Sequence, residues 1–298
     1  MPPLTPGVAP SHAPPMKATL NAAVFQSWPM DAPPPADALD LLARLHAGEL
    51  FVFRRPAPAE RLALDVRQRL QAALCPDDDV EHVPRVPDPL PRLKRLRAVL
   101  GGSPFVRRTV VEVLGALGLP ERTLVDDLRL RLVSQGAEDR PEAAPVYVMH
   151  RDTWYGCPQT QINAWIPLFD TGPEQAFSFF PRWFDRPVPN SSAQFDYATW
   201  MEQVGWHGET NVESYPQPTL PIDPGPAVRF GFAAGDVLLF SAAQLHQTQP
   251  NPVPGTTRYS VDFRFVLPGG PSAPNADNAS RGAEERVRQS FRAIGAPD

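Results

Sequence analysis

Cysteine is nearly absent from this chain, with two thiols, Cys75 and Cys157, in 298 residues. Two thiols so far apart make no disulfide framework, and they suit a reducing cytoplasm. Also missing is any apolar run near the roughly 18 to 20 residues that a membrane span needs. The opening stretch, MPPLTPGVAPSHAPPMK, lacks the charged start and apolar core of an export signal. A soluble, unexported, cytoplasmic protein with no membrane partner is the expectation. There is no basic excess either. Lys and Arg total 28 against 33 Asp and Glu, for a net charge of −5, and no basic block runs with aromatics. Nucleic acid is therefore not an expected partner.

What the chain does have is apolar content, 42%, enough for a substantial core, and proline, 39 residues of it. Many prolines fall in residues 1–35, read as a tail or strap, and in ESYPQPTLPIDPGPAV, residues 213–228, read as an extended connector. Residues 36–298 then form a single domain. Its front, 36–126, is a helical scaffold. ADALDLLARLHAGEL puts Ala38, Leu41, Leu42 and Leu45 on one stripe before the strand LFVF, a second helix spans about Pro58 to Leu74, and two more lie within Leu90 to Leu119. His46, on the first helix, is read as structural.

From about residue 127 the period changes from 3.6 to 2. LRLRLVS, VYVMH, QTQINAWIPLF, AFSFF, AVRFGF, DVLLFS and TTRYSVDFRFVL read as strands with no helix regularly between them. That pattern predicts a mainly β core with flanking α-helices, an antiparallel barrel or jelly roll over 127–268. Residues 182–226 form an irregular insertion of lid type, and a helix over 278–295 closes the chain.

VMHRDTWYGC, residues 148–157, carries the chemistry. On a strand, positions i and i+2 point the same way, so His150 and Asp152 reach one metal while Arg151 points elsewhere. The third ligand is sought among the other histidines. His12 lies in the tail, His82 in an acidic loop and His207 in the irregular insertion; His246 alone follows a strand, in AGDVLLFSAAQLHQTQPN. Two imidazoles and one carboxylate on one face of Fe(II) leave three adjacent positions open for a bidentate co-substrate and dioxygen. Twelve positions past His246, the strand TTRYSVDFRF sets Arg258, Ser260, Asp262 and Arg264 on one face and Tyr259, Val261, Phe263 and Phe265 on the other. Arg258 with the Ser260 hydroxyl suits a carboxylate gripped by paired N–H donors; Arg264 shares the face and competes for that role.

Together, HRD at 150–152, His246, and Arg258 with Ser260 resemble the Fe(II)/2-oxoglutarate-dependent oxygenase superfamily. NAWIPLFD and the AGDVLLF segment are most similar to its phytanoyl-CoA dioxygenase-like branch. QAFSFFPRWF departs from the turn usual there, and that turn borders the substrate pocket. The resemblance covers roughly residues 128–266. It implies a double-stranded β-helix (jelly roll, cupin-like) holding Fe(II) on His150, Asp152 and His246, with 2-oxoglutarate meeting Arg258 and Ser260. It further implies a dioxygenase that uses dioxygen to oxidise a small-molecule substrate, releasing succinate and CO2. Hydroxylation is the default outcome; desaturation, ring closure and epoxidation use the same oxidant. Gln161, Asn163 and Trp165 are candidates for the co-substrate pocket or for ordinary interior groups. Trp154, Tyr155, Trp183 and Arg131 are candidates for substrate contact, and Arg129, Arg182 and Arg186 leave room for an anionic group. Cys157 is read as core. Two rival readings are a cupin-like metal enzyme that does not use 2-oxoglutarate and a non-catalytic jelly-roll binding protein.

Overall fold

In the computed structural model, which describes residues 25–28, 33–75, 89–140, 147–203 and 215–294, the helical front and the β core pack as two layers. Helix α1 (Ala38–His46) starts where the Asp37 carboxylate accepts the N–H groups of Leu39 and Asp40, and its apolar stripe turns inward. Gly48 follows at φ +100°, close against the Phe184 ring, where a Cβ would collide at 2.9 Å. Strand β2 (Leu50–Phe53) leads to α2 (Ala57–Leu74), α3 (Pro89–Gly101) and α4 (Pro104–Ala116). These spans match the 3.6-residue periodicity of the sequence.

Eight strands form the main antiparallel sheet, in the order β1 (Phe25–Trp28), β2, β7 (Val237–Ser241), β5 (Gln161–Pro167), β9 (Thr257–Val266), β3 (Leu124–Val125) and β10 (Arg292–Ala293). Strand β4 (Arg129–Ser134) also pairs with β9. A second, two-stranded sheet joins β6 (Phe177–Phe179) to β8 (His246–Thr248). Helices α5 (Tyr197–Gln203) and α6 (Ala283–Ser290) contact one another. Residues 25–28, inside the proline-rich stretch, thus add a strand that composition did not suggest.

Alternation decides what each face does. Ile162, Ala164 and Ile166 of β5, and Tyr259, Val261, Phe263 and Phe265 of β9, pack with Leu41, Leu62 and Leu70 beneath the sheet. Burying each such side chain contributes about 1.5–3 kcal/mol. The opposite face carries Trp165, Leu238 and Phe240 against Phe179, Phe230 and Phe232. Between the sheets, the polar positions of β5 and β9 open into a cavity of about 410 Å³.

Two expected strands do not form. VYVMH is not a strand in its described part, 147–150, where His150 makes one isolated bridge. AVRFGF contributes only single bridges, at Val228 and Phe232, because its partners Phe179 and Thr171 are not followed by a continuous ladder.

Candidate metal centre

His150 and His246, 96 positions apart, meet as a reciprocal backbone pair. Each amide N–H donates to the other's carbonyl at 2.9 Å. Residues so paired across an antiparallel ladder project their side chains to the same face. The two imidazole rings accordingly lie 4.4 Å apart between centroids.

Asp152 reaches them by a route that differs from the expected one. The chain leaves the strand geometry at once: Asp152 opens a single 3₁₀ turn, Asp152–Tyr155, closed by Gly156 at φ +66°. Arg151 remains extended, and it is the turn rather than a second strand position that swings the carboxylate round to lie 3.3 Å from His150 Nε2. One donor atom from each of the three residues then lies within 4.8 Å of the others, a group able to hold a metal ion.

Protonation of the set follows from its hydrogen bonds. His150 Nδ1 lies 2.7 Å from the Val148 carbonyl and His246 Nδ1 lies 3.0 Å from the Gln244 carbonyl. A carbonyl only accepts, so in both neutral rings Nδ1 carries the hydrogen and Nε2 presents its lone pair. Burial, then the charge of His150, pulls His246 down to about 4, which keeps it neutral at ordinary pH. Burial alone would raise the Asp152 carboxyl, but the His150 and His246 imidazoles beside it and the Asn163 amide overcome it and hold the group well below the usual carboxylate range. Two imidazoles, in their neutral form, and one anionic carboxylate are the ligand types suited to a divalent transition metal.

Behind the set stands a hydrogen-bond chain. Gln161 Nε2 donates to Asn163 Oδ1 at 3.0 Å, and Asn163 Nδ2 donates to Asp152 Oδ2 at 2.7 Å, leaving Oδ1 for the centre of the group. Arg151, buried between the two ligand residues, uses all five of its donors. They reach the Asp277 carboxylate and the carbonyls of Trp183, Phe184, Arg186 and Ala243.

On β9, Arg258 and Arg264 line the same cavity in opposite condition. Arg264 pairs with Asp262 at 3.0 Å and Asp126 at 3.8 Å. Arg258 has no carboxylate partner among the described residues. Its Nη1 donates to the carbonyls of Gln175 and Ala176, and it lies 5.9 Å over the Trp165 ring, while its buried Nε and the buried Ser260 Oγ make no hydrogen bond. Burial lowers this guanidinium to about 10, which leaves it charged.

Trp165, Tyr155, Asn163 and Arg131 line the cavity as well. Trp154 and Trp183 do not. Trp154 is fully buried with Phe180, Val188 and Leu245, its indole N–H held by Asp277 at 2.8 Å, and Trp183 packs on that same cluster. Asp277, which holds the Trp154 indole, lies too far along the chain for spacing to reveal. Arg129 is engaged by Asp126, Arg182 by Asp223, and Arg186 contributes a carbonyl to Arg151. His46 and Cys157 are both buried, Cys157 at the cavity's edge, whereas His12, His82 and His207 lie outside the described residues. Among the lining residues that sequence reasoning missed are Arg97, Phe195, Tyr215 and Arg286; the aromatic load of the insertion was the available signal for Phe195 and Tyr215.

Fold and site together define a mainly β, antiparallel protein with flanking helices and a His–Asp–His candidate metal centre between its sheets. No protein-family model matches the chain, and no curated protein does. Among solved structures it is similar to EvdO2 from Micromonospora carbonacea var. aurantiaca complexed with 2-oxoglutarate, with TM-score 0.44 and 14% identity over 77% of this chain and 89% of that one. It is also similar to the epimerase SnoN in complex with Fe3+, α-ketoglutarate and nogalamycin RO, with TM-score 0.42 and 18% identity over 78% and 86%. The non-haem monooxygenase ThoJ follows, with TM-score 0.42 and 14% identity over 78% and 80%.

Proposed function

We propose that the chain is a non-haem Fe(II)/2-oxoglutarate-dependent dioxygenase with a jelly-roll core, oxidising a small-molecule substrate by hydroxylation. The observation that supports it is the coexistence in one cavity of a three-donor His–Asp–His group and a buried guanidinium that has no carboxylate partner among the described residues. A buried charge without a partner costs several kcal/mol, so a site that keeps one is built for an incoming counter-charge. Arg258 Nε and Ser260 Oγ are orphaned donors at that place. A metal-chelating keto acid with a second carboxylate fits both ends at once.

In this reading His150, Asp152 and His246 hold the iron and leave adjacent positions open. Arg258 and Ser260 take the far carboxylate of the diacid. Trp165 walls the guanidinium, and Gln161 and Asn163 fix the orientation of Asp152. When bound, iron and 2-oxoglutarate together supply oxygen activation, with succinate and CO2 as co-products. The protein contributes placement, through the three donors, the amides behind Asp152 and the guanidinium in the same cavity.

The test is to add Fe(II) and 2-oxoglutarate to the purified protein under nitrogen and follow the visible charge-transfer absorption of an iron-bound keto acid, then admit oxygen and measure succinate. Absence of the band together with absence of succinate overturns the reading. Metal binding with no effect of 2-oxoglutarate would favour the cupin-like alternative.

A further inference from the structure

The cavity has a second group of cations, toward its exposed rim, that the metal and the diacid leave unused, with Arg131 opposite Ser260 across the β4–β9 ladder. Arg97 of α3 lies at its exposed rim and Arg131 of β4 beside it. Arg131 Nε and Arg264 Nη2 share the carboxylate of Asp262, at 2.9 and 3.0 Å. Arg97 has no carboxylate partner among the described residues; its one hydrogen bond runs from Nε to the Leu130 carbonyl at 3.3 Å. That carbonyl belongs to the residue next to Arg131, which brings the two cations near one another; burial, then the charge of Arg131, lowers the Arg97 guanidinium from its ordinary value. Arg264 Nη1, buried in the same lining, makes no hydrogen bond.

Facing these cations is an aromatic wall from the insertion and the ligand turn. Tyr155 meets Tyr215 edge-on at 5.8 Å and Phe195 at 6.2 Å, and Trp200 closes the row 5.9 Å from Tyr215. Such rings bind flat apolar bodies. Like charges brought close at the rim of a cleft repel, and an anion that enters relieves the repulsion.

We propose that this end of the cavity recognises an oxyanion carried by an aromatic or similarly flat apolar substrate, with Arg97 and Arg131 as the selecting residues and Tyr155, Phe195, Trp200 and Tyr215 as the surface for its body. The proposal rests on the reading of the inner end as the metal and 2-oxoglutarate site, since it assigns the anion to the end that Arg258 does not serve.

The experiment begins with calorimetric titration of 2-oxoglutarate into the Mn(II)-loaded protein under nitrogen, which tests the inner site alone. Three probes are then titrated into that complex: 4-phenylbutyrate, phenyl phosphate and the neutral 4-phenylbutyramide. At least one anion is expected to bind at least about tenfold more tightly than the amide, carboxylate and phosphate being separated by which of the two it is. Arg97→Gln and Arg131→Gln are each expected to lower that affinity by about tenfold. Equal binding of amide and anions overturns the proposal, as does failure of both anions to bind at millimolar concentration. An anion affinity lost in Arg258→Gln but retained in Arg97→Gln overturns it too, by placing the anion at the inner end. If 2-oxoglutarate itself fails to bind, the probes are titrated into the Mn(II) protein without it, and the Arg97 and Arg131 variants still decide the outer end separately.

Discussion

Two arginines on one face of β9, six residues apart, show how a single strand can serve structure at one end and a ligand at the other. Arg264 sits between Asp262 and Asp126, while Arg258 has only backbone carbonyls and aromatic rings around it. Both are largely buried and both line the cavity. The difference is the counter-charge. Where the protein supplies its own carboxylates the arginine is part of the scaffold, and where it withholds them the arginine waits for a guest.

The largest expected effect lies at the metal group to which that guest would bind. Asp152→Ala removes the only carboxylate of the set and is expected to weaken Mn(II) or Fe(II) binding by more than about a hundredfold, beyond what loss of an outer hydrogen-bond partner costs, as read by metal titration. If affinity survives, the His–Asp–His group is not the metal site.

Next comes the comparison itself. Arg258→Gln is expected to weaken 2-oxoglutarate binding by about a hundredfold, near 3 kcal/mol, with no loss of folding stability, since it removes a buried charge that has no acidic partner. Arg264→Gln is expected to do the reverse. It leaves Asp262 and Asp126 short of a cation and should cost about 2–3 kcal/mol in urea unfolding, with a smaller effect on 2-oxoglutarate. Exchange of these two outcomes would break the comparison.

His46 sharpens it, being another buried group with an orphaned nitrogen, Nδ1, yet remote from the cavity lining. Burial holds it at about 4 against an ordinary 6.5. The unfolded chain therefore takes up this proton first, so the associated stability is complete above pH 6.5 and is lost as the pH falls towards 4. The full loss is about 3 kcal/mol. In His46→Leu, unfolding measured across that window should depend on pH less steeply by that amount. An orphaned atom marks a ligand site only when it opens onto a cavity.

The smallest effect is expected from Asn163→Ala, which deprives Asp152 of its 2.7 Å partner. Metal affinity should fall about tenfold, at the low end for an outer hydrogen-bond partner, with the fold unchanged by circular dichroism.

Much of this was legible because it is periodic or local. Alternation set Asn163 and Trp165 on one face of QTQINAWIPLF and Arg258 and Arg264 on one face of TTRYSVDFRF, faces that the fold turns to the cavity, since side-chain direction in a strand follows from position alone. The convergence of His150 with His246 was readable only through the residue types their chemistry needs. What escaped was set by long-range contacts. The 3₁₀ turn at Asp152 is closed by a left-handed Gly156 packed against Tyr197 and the Arg281 carbonyl, neighbours that lie 41 and 125 positions away. Trp154 looked like a pocket residue because it stands beside a ligand, but a carboxylate at position 277 claims its N–H. Arg97 carries no local mark at all, being one of several arginines on an ordinary amphipathic helix.

The five-donor anchorage of Arg151 has a temporal consequence. Asp277 takes its Nε, and the same carboxylate takes the Val188 amide and the Trp154 indole. The anchorage of the residue between the two ligands is therefore complete only once position 277 has been synthesised. A nascent chain ending before that aspartate would already contain His150, Asp152 and His246, yet would hold the residue between the first two without its carboxylate anchor, so full metal affinity should arrive only after position 277 has left the ribosome.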